Sequence, residues 1–336
     1  MIKNACVVGC GAISPVHARA LTSLPNAALY AVCDIDQSHA AALSDRFGGK
    51  IYTDFETALS DPSLDTVHIC TPHYLHPDMA CRALYAGKDV LLEKPAAIDA
   101  EGFGKLLDAK KATGRQVGVC FQNRTNTCIQ MLYDLVKTDK TLGALTAIAA
   151  NLRWHRTPEY YQSANWRGRW ATEGGGVLIN QAVHLLDLAV QFGGVPLWVQ
   201  ASISTKSLGD VIEVEDTADA RIRFVSGVEA SFYATNAFPV NQPFFLELVF
   251  EAATLRYADN RLYRVTKAGM ETLCADNAEV PGKPYWGGGH KHVISDFYRA
   301  LEKGSQNYLT LESTIDTFRT LFGIYKSAKT GAPVTL

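Results

Sequence analysis

The sequence predicts an α/β domain built on a doubly wound parallel sheet, followed by an α+β domain with a large, open, mostly antiparallel sheet. Short apolar runs alternate with helical stretches up to about residue 121. Most of these runs are continuously apolar, as expected for strands that helices cover on both faces. Beyond residue 122 the pattern changes to a strand-rich stretch with a hairpin, which one helix interrupts.

The composition indicates a globular protein and excludes several functional classes. The chain has 336 residues, of which 47% are hydrophobic and 20% charged, and this length suits two domains. A formal net charge of −2 gives no basic field for nucleic acid or an anionic membrane. No apolar run is long enough to span a bilayer, and the first strand begins too early for a signal peptide. The eight cysteines form no Cys-x-x-Cys pair, so we expect a reduced, cytoplasmic protein without a metal site.

The first domain is predicted to cover residues 1–121. Helical segments of ordinary length separate its strands, which is the pattern of a doubly wound parallel sheet. The chain contains no flexible linker or internal repeat, so we place the domain boundary at a hinge near residues 121–125. The predicted strands are Ala5–Val8, Leu29–Cys33, Thr66–Cys70, Asp89–Leu92 and Gln116–Cys120.

The second domain is predicted to cover residues 122–336. A turn at Ser226-Gly227 joins two alternating segments as a hairpin. A helix over residues 177–192 precedes this hairpin, and two helices close the chain, the last of which is able to pack back on the first domain. The remaining elements are strands over 218–224, 228–233, 245–250 and 254–257 and helices over 292–302 and 311–329.

The segment Gly9-Cys10-Gly11-Ala12-Ile13 ends the first strand and opens the first helix. Gly9 permits a tight turn, Gly11 lets the backbone approach a pyrophosphate, and the helix N-terminus offers N–H groups to the phosphates. Asp34 ends the next strand, where an acid binds ribose hydroxyls. Because this charge repels a 2′-phosphate and no arginine adjoins it, we predict NAD in preference to NADP. The alternative interpretations are a plain turn for the glycine segment and a helix N-cap for Asp34.

Lys94 stands in Glu93-Lys94-Pro95, directly after a predicted buried strand. A lysine at the carboxyl end of a parallel strand points into the ligand crevice. There it is suited to exchange a proton with a substrate hydroxyl. The alternative interpretation is a structural ion pair between Lys94 and Glu93.

The predicted helix over residues 177–192 carries Asn180, His184 and Asp187 on one stripe, because they are spaced by four and three residues. Its other faces are apolar, so we expect the stripe to face something polar. Histidine titrates close to neutral pH, which suits proton transfer. We interpret Asp187 as a supporting acceptor. A hydrogen-bonded core histidine is the alternative for His184.

Several segments, in this order along nearly the whole chain, resemble the Gfo/Idh/MocA (glucose–fructose oxidoreductase, inositol dehydrogenase) family. The resemblance implies a Rossmann domain with bound nicotinamide and a substrate domain for a sugar, polyol or sugar derivative. It also implies a homodimer or homotetramer formed through the open sheet face. We place Phe224, Phe232 and Tyr233 on that uncovered face, which gives the association a physical reason. The matching segments are residues 70–76, 86–95, 166–168, 174–187, 289–297 and 324–328.

The resemblance and the strand ends together assign the candidate site residues. The family often carries an aspartate where Asn180 stands, which leaves a lysine–aspartate–histidine relay in doubt. Either Lys94 or His184 is the base, and we prefer His184, with Lys94 polarising the same oxygen. Loop capping is the alternative interpretation for His73 and His76, which follow the predicted strand Thr66–Cys70. Beside the Gly9–Ile13 turn and Asp34, the candidate cofactor residues are Thr71, Pro72, His73, His76, Glu93, Lys94, Trp166 and Arg167, and the candidate substrate residues are Lys94, Gln122, Arg124, Tyr161, Asn180 and His184.

These expectations describe an NAD-dependent dehydrogenase that interconverts a secondary alcohol and a ketone on a sugar derivative. C3 of a hexopyranoside is the candidate position. Two alternatives stay open. One is a glycosidase that uses tightly bound NAD in a cycle of oxidation, elimination and reduction. The other is a non-catalytic regulator that binds dinucleotide and sugar, and the presence of both Lys94 and His184 argues against it.

Overall fold

The computed structural model describes residues 2–276 and 289–336. Within these ranges no helix combines the length and the hydropathy that a membrane span requires. The strands are β1 (Lys3–Val8), β2 (Ala27–Cys33), β3 (Lys50–Tyr52), β4 (Thr66–Ile69), β5 (Asp89–Leu92), β6 (Val117–Val119), β7 (Leu145–Arg153), β8 (Pro196–Ser204), β9 (Thr217–Phe224), β10 (Glu229–Thr235), β11 (Phe245–Phe250), β12 (Thr254–Ala258), β13 (Arg261–Thr266), β14 (Gly269–Ala275) and β15 (Val334–Thr335). The helices are α1 (Ser14–Leu21), α2 (Gln37–Phe47), α3 (Phe55–Leu59), α4 (His76–Tyr85), α5 (Ala100–Thr113), α6 (Thr127–Thr138), α7 (Pro158–Gln162), α8 (Val177–Asn180), α9 (Val183–Gly193), α10 (His290–Lys303) and α11 (Ile315–Thr330).

The described residues form two compact units. The first contains the residues up to 122 together with 289–314, and the second contains residues 123–276 together with 315–336. The boundary drawn from the sequence leaves residues 289–314 in the second domain. In the structure α10 packs on α1, and its side chains Val293, Ile294 and Phe297 join the core of the first unit.

The first unit is built on a parallel sheet with the strand order β3-β2-β1-β4-β5-β6. This order confirms the predicted doubly wound fold. The winding reverses between β1 and β4, and ligands of such sheets bind outside the carboxyl ends of the strands at this switch point. The short strand β3 is absent from the sequence-based prediction.

The second unit is built on a sheet of nine described strands in the order β14-β13-β12-β11-β7-β10-β9-β8-β15. Strands β7 and β10 pair in parallel, and the other neighbours pair antiparallel, which confirms the mostly antiparallel prediction. Helices α9 and α11 pack against one face of this sheet, on β7 and β8 respectively.

The prediction that Phe224 and Phe232 lie on the uncovered sheet face is wrong. Both side chains are only 1% exposed, and the ring of Phe224 packs against Gly193 at the end of α9. Side chains alternate between the two faces of a strand, so the neighbours of these residues point the other way. Of the three aromatic residues only Tyr233, which is 36% exposed, lies on the uncovered face.

The uncovered face is mixed, because it carries charged residues beside Tyr233. Arg221 and Arg223 both pair with Glu229 there, at 2.5 and 2.6 Å. Two of the three residues that we gave as the physical reason for association are therefore absent from this face, and association itself stays a prediction.

The predicted helix over residues 177–192 is interrupted. The N–H groups of Gln181 and Ala182 both donate to the carbonyl oxygen of Val177, at 3.1 and 2.8 Å. The second of these bonds spans five residues instead of four, so one extra residue enters the turn between α8 and α9. Asn180 and His184 therefore lie on two different helices, and their spacing of four no longer defines one stripe.

Candidate active site

The turn after β1 has the geometry that a dinucleotide requires. Gly9 has a φ of +85°, and a Cβ added there would lie 2.8 Å from the backbone carbonyl of Cys70. A Cβ added to Gly11 would meet no protein atom within 4 Å. Helix α1 begins at Ser14 with Pro15 in its first turn, so its N-terminus adjoins this open space. The tight turn at Gly9 and the open space beside Gly11 fit a bound pyrophosphate.

Asp34 is tied to the glycine turn by hydrogen bonds. Its Oδ2 accepts from the N–H of Cys10 at 2.7 Å, and its Oδ1 accepts from the N–H of Asp36 at 2.9 Å. Asp36 is the residue that caps α2, through the N–H of Ser38 at 2.8 Å. A carboxylate has about four acceptor sites, so the anchored Asp34 retains capacity for ribose hydroxyls. The cradle thus fits NAD at both its phosphate and its ribose position.

The segment after β4 contains the predicted cofactor residues Thr71, Pro72 and His73, and His76 is the first residue of α4. His76 is buried, with Nδ1 2.7 Å from the carbonyl oxygen of Pro95 and Nε2 2.8 Å from that of Thr71. Burial lowers the pKa of His76, although the hydrogen bonds to these two carbonyl oxygens raise it. Its position favours the loop-capping interpretation for His76. Cofactor contacts by Thr71, Pro72 and His73 stay predictions.

Lys94 lies at the carboxyl edge of the first sheet. The N–H of Glu93 donates to the carbonyl oxygen of Ile69 at 3.0 Å, so strand pairing continues one residue past β5 and Lys94 comes next. The Lys94 side chain is half-buried, and the Lys94–Pro95 peptide bond is cis. The Glu93 carboxylate accepts from His17 at 2.9 Å, a contact that the sequence analysis missed.

Arg124 and Asp187 form a buried ion pair in the second unit. Arg124 Nε donates to Asp187 Oδ2 at 2.7 Å and its terminal nitrogen to Oδ1 at 2.5 Å. The hydroxyl of Thr317 also donates to Asp187 Oδ1 at 2.7 Å. This arrangement fits the interpretation of Asp187 as a supporting acceptor and neutralises the charge of Arg124. Gln122 is buried in the first unit, and substrate binding by Gln122 and Arg124 stays a prediction.

Asn180 belongs to a hydrogen-bonded group that we call the Tyr160 cluster, made of Tyr160, Glu173, Asn180, Gln181 and Asn236. Asn180 Nδ2 donates to Glu173 Oε1 at 2.5 Å and to the Tyr160 hydroxyl at 3.4 Å. Gln181 Nε2 donates to the same hydroxyl at 3.1 Å, and Gln181 Oε1 accepts from Asn236 at 2.9 Å. Glu173, Gln181 and Asn236 were missed because residues far apart in the sequence meet here.

The Tyr160 cluster explains why an amide stands at position 180. Glu173 is fully buried and needs hydrogen-bond donors, and Asn180 supplies one. An aspartate at this position would place a second carboxylate against Glu173, which is unfavourable when both are ionised. The departure from the family pattern is therefore matched by a buried acid elsewhere in this chain.

Two arginines lie beside the ring of Tyr160. The guanidinium carbons of Arg156 and Arg167 are 5.1 and 4.4 Å from the ring centroid, within the range of a cation–π interaction. Arg167 also lies 5.2 Å from the ring of Trp166. The neighbouring Tyr161 is only 4% exposed and its hydroxyl accepts from Asn236, so it packs in the core and the half-exposed Tyr160 is better placed for stacking.

Helix α8, which contains Asn180, has the buried carboxylic acid of Glu215 at its N-terminus. Glu215 accepts from the N–H groups of Gly176 and Leu178, at 2.9 and 3.0 Å, and from the Tyr325 hydroxyl at 3.1 Å. Burial raises the pKa of Glu215 to about 7, even though these hydrogen bonds lower it. His184 follows in the first turn of α9, where its side chain is half-buried.

Comparisons with known proteins agree with the fold of both units. Residues 3–121 match the model of an oxidoreductase family with an NAD-binding Rossmann fold, and residues 129–256 match the GFO/IDH/MocA C-terminal domain. The chain is 26% identical to D-xylose 1-dehydrogenase (NADP(+)) 2 of Haloferax volcanii over 310 residues, which are 91% of each chain. It is 30% identical to D-glucoside 3-dehydrogenase of Escherichia coli over 193 residues, 56% of this chain and 54% of that protein. The solved WlbA dehydrogenase of Bordetella pertussis, in complex with NADH and UDP-GlcNAcA, is 27% identical with a TM-score of 0.88, and the match covers 100% of this chain and 99% of that one.

Proposed function

The chain belongs to the Gfo/Idh/MocA family of NAD-binding sugar oxidoreductases, and we propose that it interconverts a secondary alcohol and a ketone at C3 of a hexopyranoside. The geometry of the glycine turn with its anchored Asp34 carries the cofactor part of this proposal. The relative named D-glucoside 3-dehydrogenase supports the position on the sugar.

In the proposed mechanism the bound nicotinamide supplies the acceptor for a hydride. The chain then has to remove the hydroxyl proton of the substrate. We assign this proton to the imidazole of His184, and we assign to the Lys94 ammonium the polarisation of the hydroxyl oxygen. A positioned acid or base of this kind contributes about 10²–10⁴-fold to the rate.

The Tyr160 cluster is our candidate for holding sugar hydroxyls. Its amides and hydroxyl are fixed by their mutual hydrogen bonds, so they present donors and acceptors in defined directions. The half-exposed Tyr160 ring offers an apolar face to a pyranose. Arg156 and Arg167 add positive charge that suits a carboxylate or phosphate on the sugar.

A substrate panel tests this proposal. The purified protein is incubated with NAD and with alkyl glucosides, free hexoses, polyols and uronates, and reduced nicotinamide is followed by its absorbance. We expect reduced nicotinamide with at least one hexopyranoside and a 3-keto product by NMR. Glycoside cleavage without accumulation of reduced nicotinamide would replace the proposal with the glycosidase cycle. Reduction with polyols alone would reject the hexopyranoside.

A further inference from the structure

Two thiols meet where α6 covers one end of the second sheet. Cys128 is the second residue of α6 and is fully buried, whereas Cys274 lies half-buried in β14. Helix α6 packs against β12, β13 and β14, and β14 is the outermost described strand at this end of the sheet. Both cysteines are free thiols. Two reduced sulfur atoms on different elements therefore share one corner of the second unit.

The strand register turns the Cys274 side chain towards α6. Cys274 pairs with Leu262 of β13, which pairs in turn with Tyr257 of β12. Directly paired residues of neighbouring strands point to the same face of a sheet. Leu262 is fully buried and Tyr257 is 2% exposed, so this face is the covered one. Arg264, two residues after Leu262 on the same face, donates to Asp139 at the end of α6. Cys274 therefore points to the face that α6 covers.

The Asp276 carboxylate fixes the first turn of α6 beside this strand. Its Oδ1 accepts from the N–H of Cys128 at 2.9 Å, and its Oδ2 accepts from the Tyr257 hydroxyl at 2.8 Å. The N–H of Asp276 donates to the carbonyl oxygen of Asn260 at 2.8 Å, which holds the end of β14 in place. The Cys128 thiol makes side-chain hydrogen bonds with both the Cys274 thiol and the Asp276 carboxylate. The two thiols are therefore neighbours, with a carboxylate beside them.

The surroundings give the two sulfur atoms different roles. Burial raises the pKa of Cys128, and the hydrogen bond with Cys274 raises it further, so this thiol is protonated near neutral pH. Cys274 is the partner that solvent reaches, so a dissolved oxidant meets it first. Cys128 is then placed to attack an oxidised Cys274, and Asp276 is placed to accept the proton that Cys128 loses.

We propose that Cys128 and Cys274 form a disulfide bond when hydrogen peroxide oxidises Cys274. The Cys274 sulfur attacks one peroxide oxygen, the O–O bond breaks, and a sulfenic acid and one water are formed. The Cys128 sulfur then attacks the sulfenic sulfur, so that the S–S bond forms and the S–O bond breaks. Asp276 accepts the Cys128 proton and returns it to the departing hydroxide as a second water. Two thiols are thereby oxidised, one peroxide is reduced, and NAD and the sugar take no part.

Mass spectrometry of the wild-type protein tests the proposal. The reduced protein is treated with hydrogen peroxide, unfolded, alkylated at its remaining thiols and digested. We expect a loss of about 2 Da and one cross-linked peptide pair that joins Cys128 to Cys274 and separates on reduction. Wild-type protein in which Cys274 is oxidised without this cross-link would overturn the proposal. The same cross-link at equal yield from protein oxidised in urea would also overturn it, because the native contact would then have no part in the pairing.

Matched variants show whether the pair acts as a unit. We expect Cys128→Ser to leave Cys274 as a sulfenic or sulfinic acid under the same treatment. Cys81→Ser, at a half-buried position on α4 of the first unit, is the control and should keep the cross-link. The bridge ties β14 to α6 across a long loop, so the urea midpoint of the oxidised wild type should rise by about 1 M. Equal midpoints of the oxidised and reduced wild type would show that the thiols do not bridge these elements.

Discussion

Substitutions at Gly9 and Gly11 should have different effects, although both residues belong to one turn: the first should lower stability and the second should weaken NAD binding. Gly9→Ala forces a side chain into a backbone with φ +85° and against the carbonyl of Cys70, so we expect a loss of about 1–3 kcal/mol in the free energy of unfolding. Gly11→Ala meets no protein atom, so we expect little change in stability but at least a tenfold weaker affinity for NAD. Urea unfolding and NAD titration check both variants. Wild-type NAD affinity in Gly11→Ala would contradict the phosphate cradle.

Lys94 and His184 are each predicted to act on the substrate proton. We expect Lys94→Ala and His184→Ala to lower kcat about 10²–10⁴-fold, because each removes a positioned acid or base. The dissociation constant for NAD should change by less than about threefold. Lys111→Ala and His39→Ala, at exposed positions on α5 and α2, are matched controls for the same changes. A kcat equal to that of the controls would remove the residue from the mechanism.

Asn180→Asp tests the explanation given for the amide at this position. The new carboxylate would lie against buried Glu173, so one of the two acids should have its pKa raised by the like charge. A raised pKa in the folded state stabilises the protein at low pH, and this stabilisation is lost as the pH rises. We expect the variant to lose about 1–3 kcal/mol at pH 8 and less at pH 5, by urea unfolding. Asn165→Asp, at an exposed position, is the control, and an equal loss at both pH values would refute the explanation.

At the scale of elements, α8 depends on a buried acid at its N-terminus. Burial raises the pKa of Glu215 from 4.5 to about 7, so the folded protein binds this proton more tightly than the unfolded chain. The stabilisation is complete below pH 4.5 and is lost as the pH rises to about 7. Between pH 5 and pH 8 the wild type should lose about 2–3 kcal/mol relative to Glu215→Gln, which has no such proton. Urea unfolding of both proteins checks this, and parallel pH profiles would show that Glu215 does not titrate in this range.

The elements that the sequence predicts well have strong local patterns. The buried strands of the first sheet and the turn at Gly227, with a φ of +90°, follow from apolar runs and turn residues. Strand β7 was missed because its three alanines favour a helix and mask the alternation. The break between α8 and α9 was missed because residues distant in sequence help to hold it: Gln181 donates a hydrogen bond to Tyr160 and accepts one from Asn236.

The same distinction applies to the residues of the candidate site: local patterns made some of them predictable, and distant contacts hold the others. Gly9, Gly11 and Asp34 were predictable because the turn and the strand ends that place them are local. Glu173, Glu215 and the partners of Glu93 were not predictable, because nothing in the sequence around a buried acid reveals which distant donors will satisfy it.

At the scale of the whole molecule, both units carry the architecture that their composition and segment order predict. The family match covers residues 3–121 and 129–256, and the cofactor cradle lies within the first of these ranges. Association of copies through the open sheet face stays a prediction. That face carries the charged residues Arg221, Arg223 and Glu229 beside Tyr233, and the other two expected aromatic rings are buried on the opposite face.

Hydride transfer from C3 is the central claim, and isotope transfer measures it most directly. The protein is incubated with NAD and a methyl hexopyranoside deuterated at C3, and the mass of the reduced cofactor is determined. We predict that reduced nicotinamide carries one deuterium from this substrate and none from the sugar deuterated at C2. Unlabelled reduced cofactor from the C3-deuterated sugar, or label from C2 alone, would contradict the account.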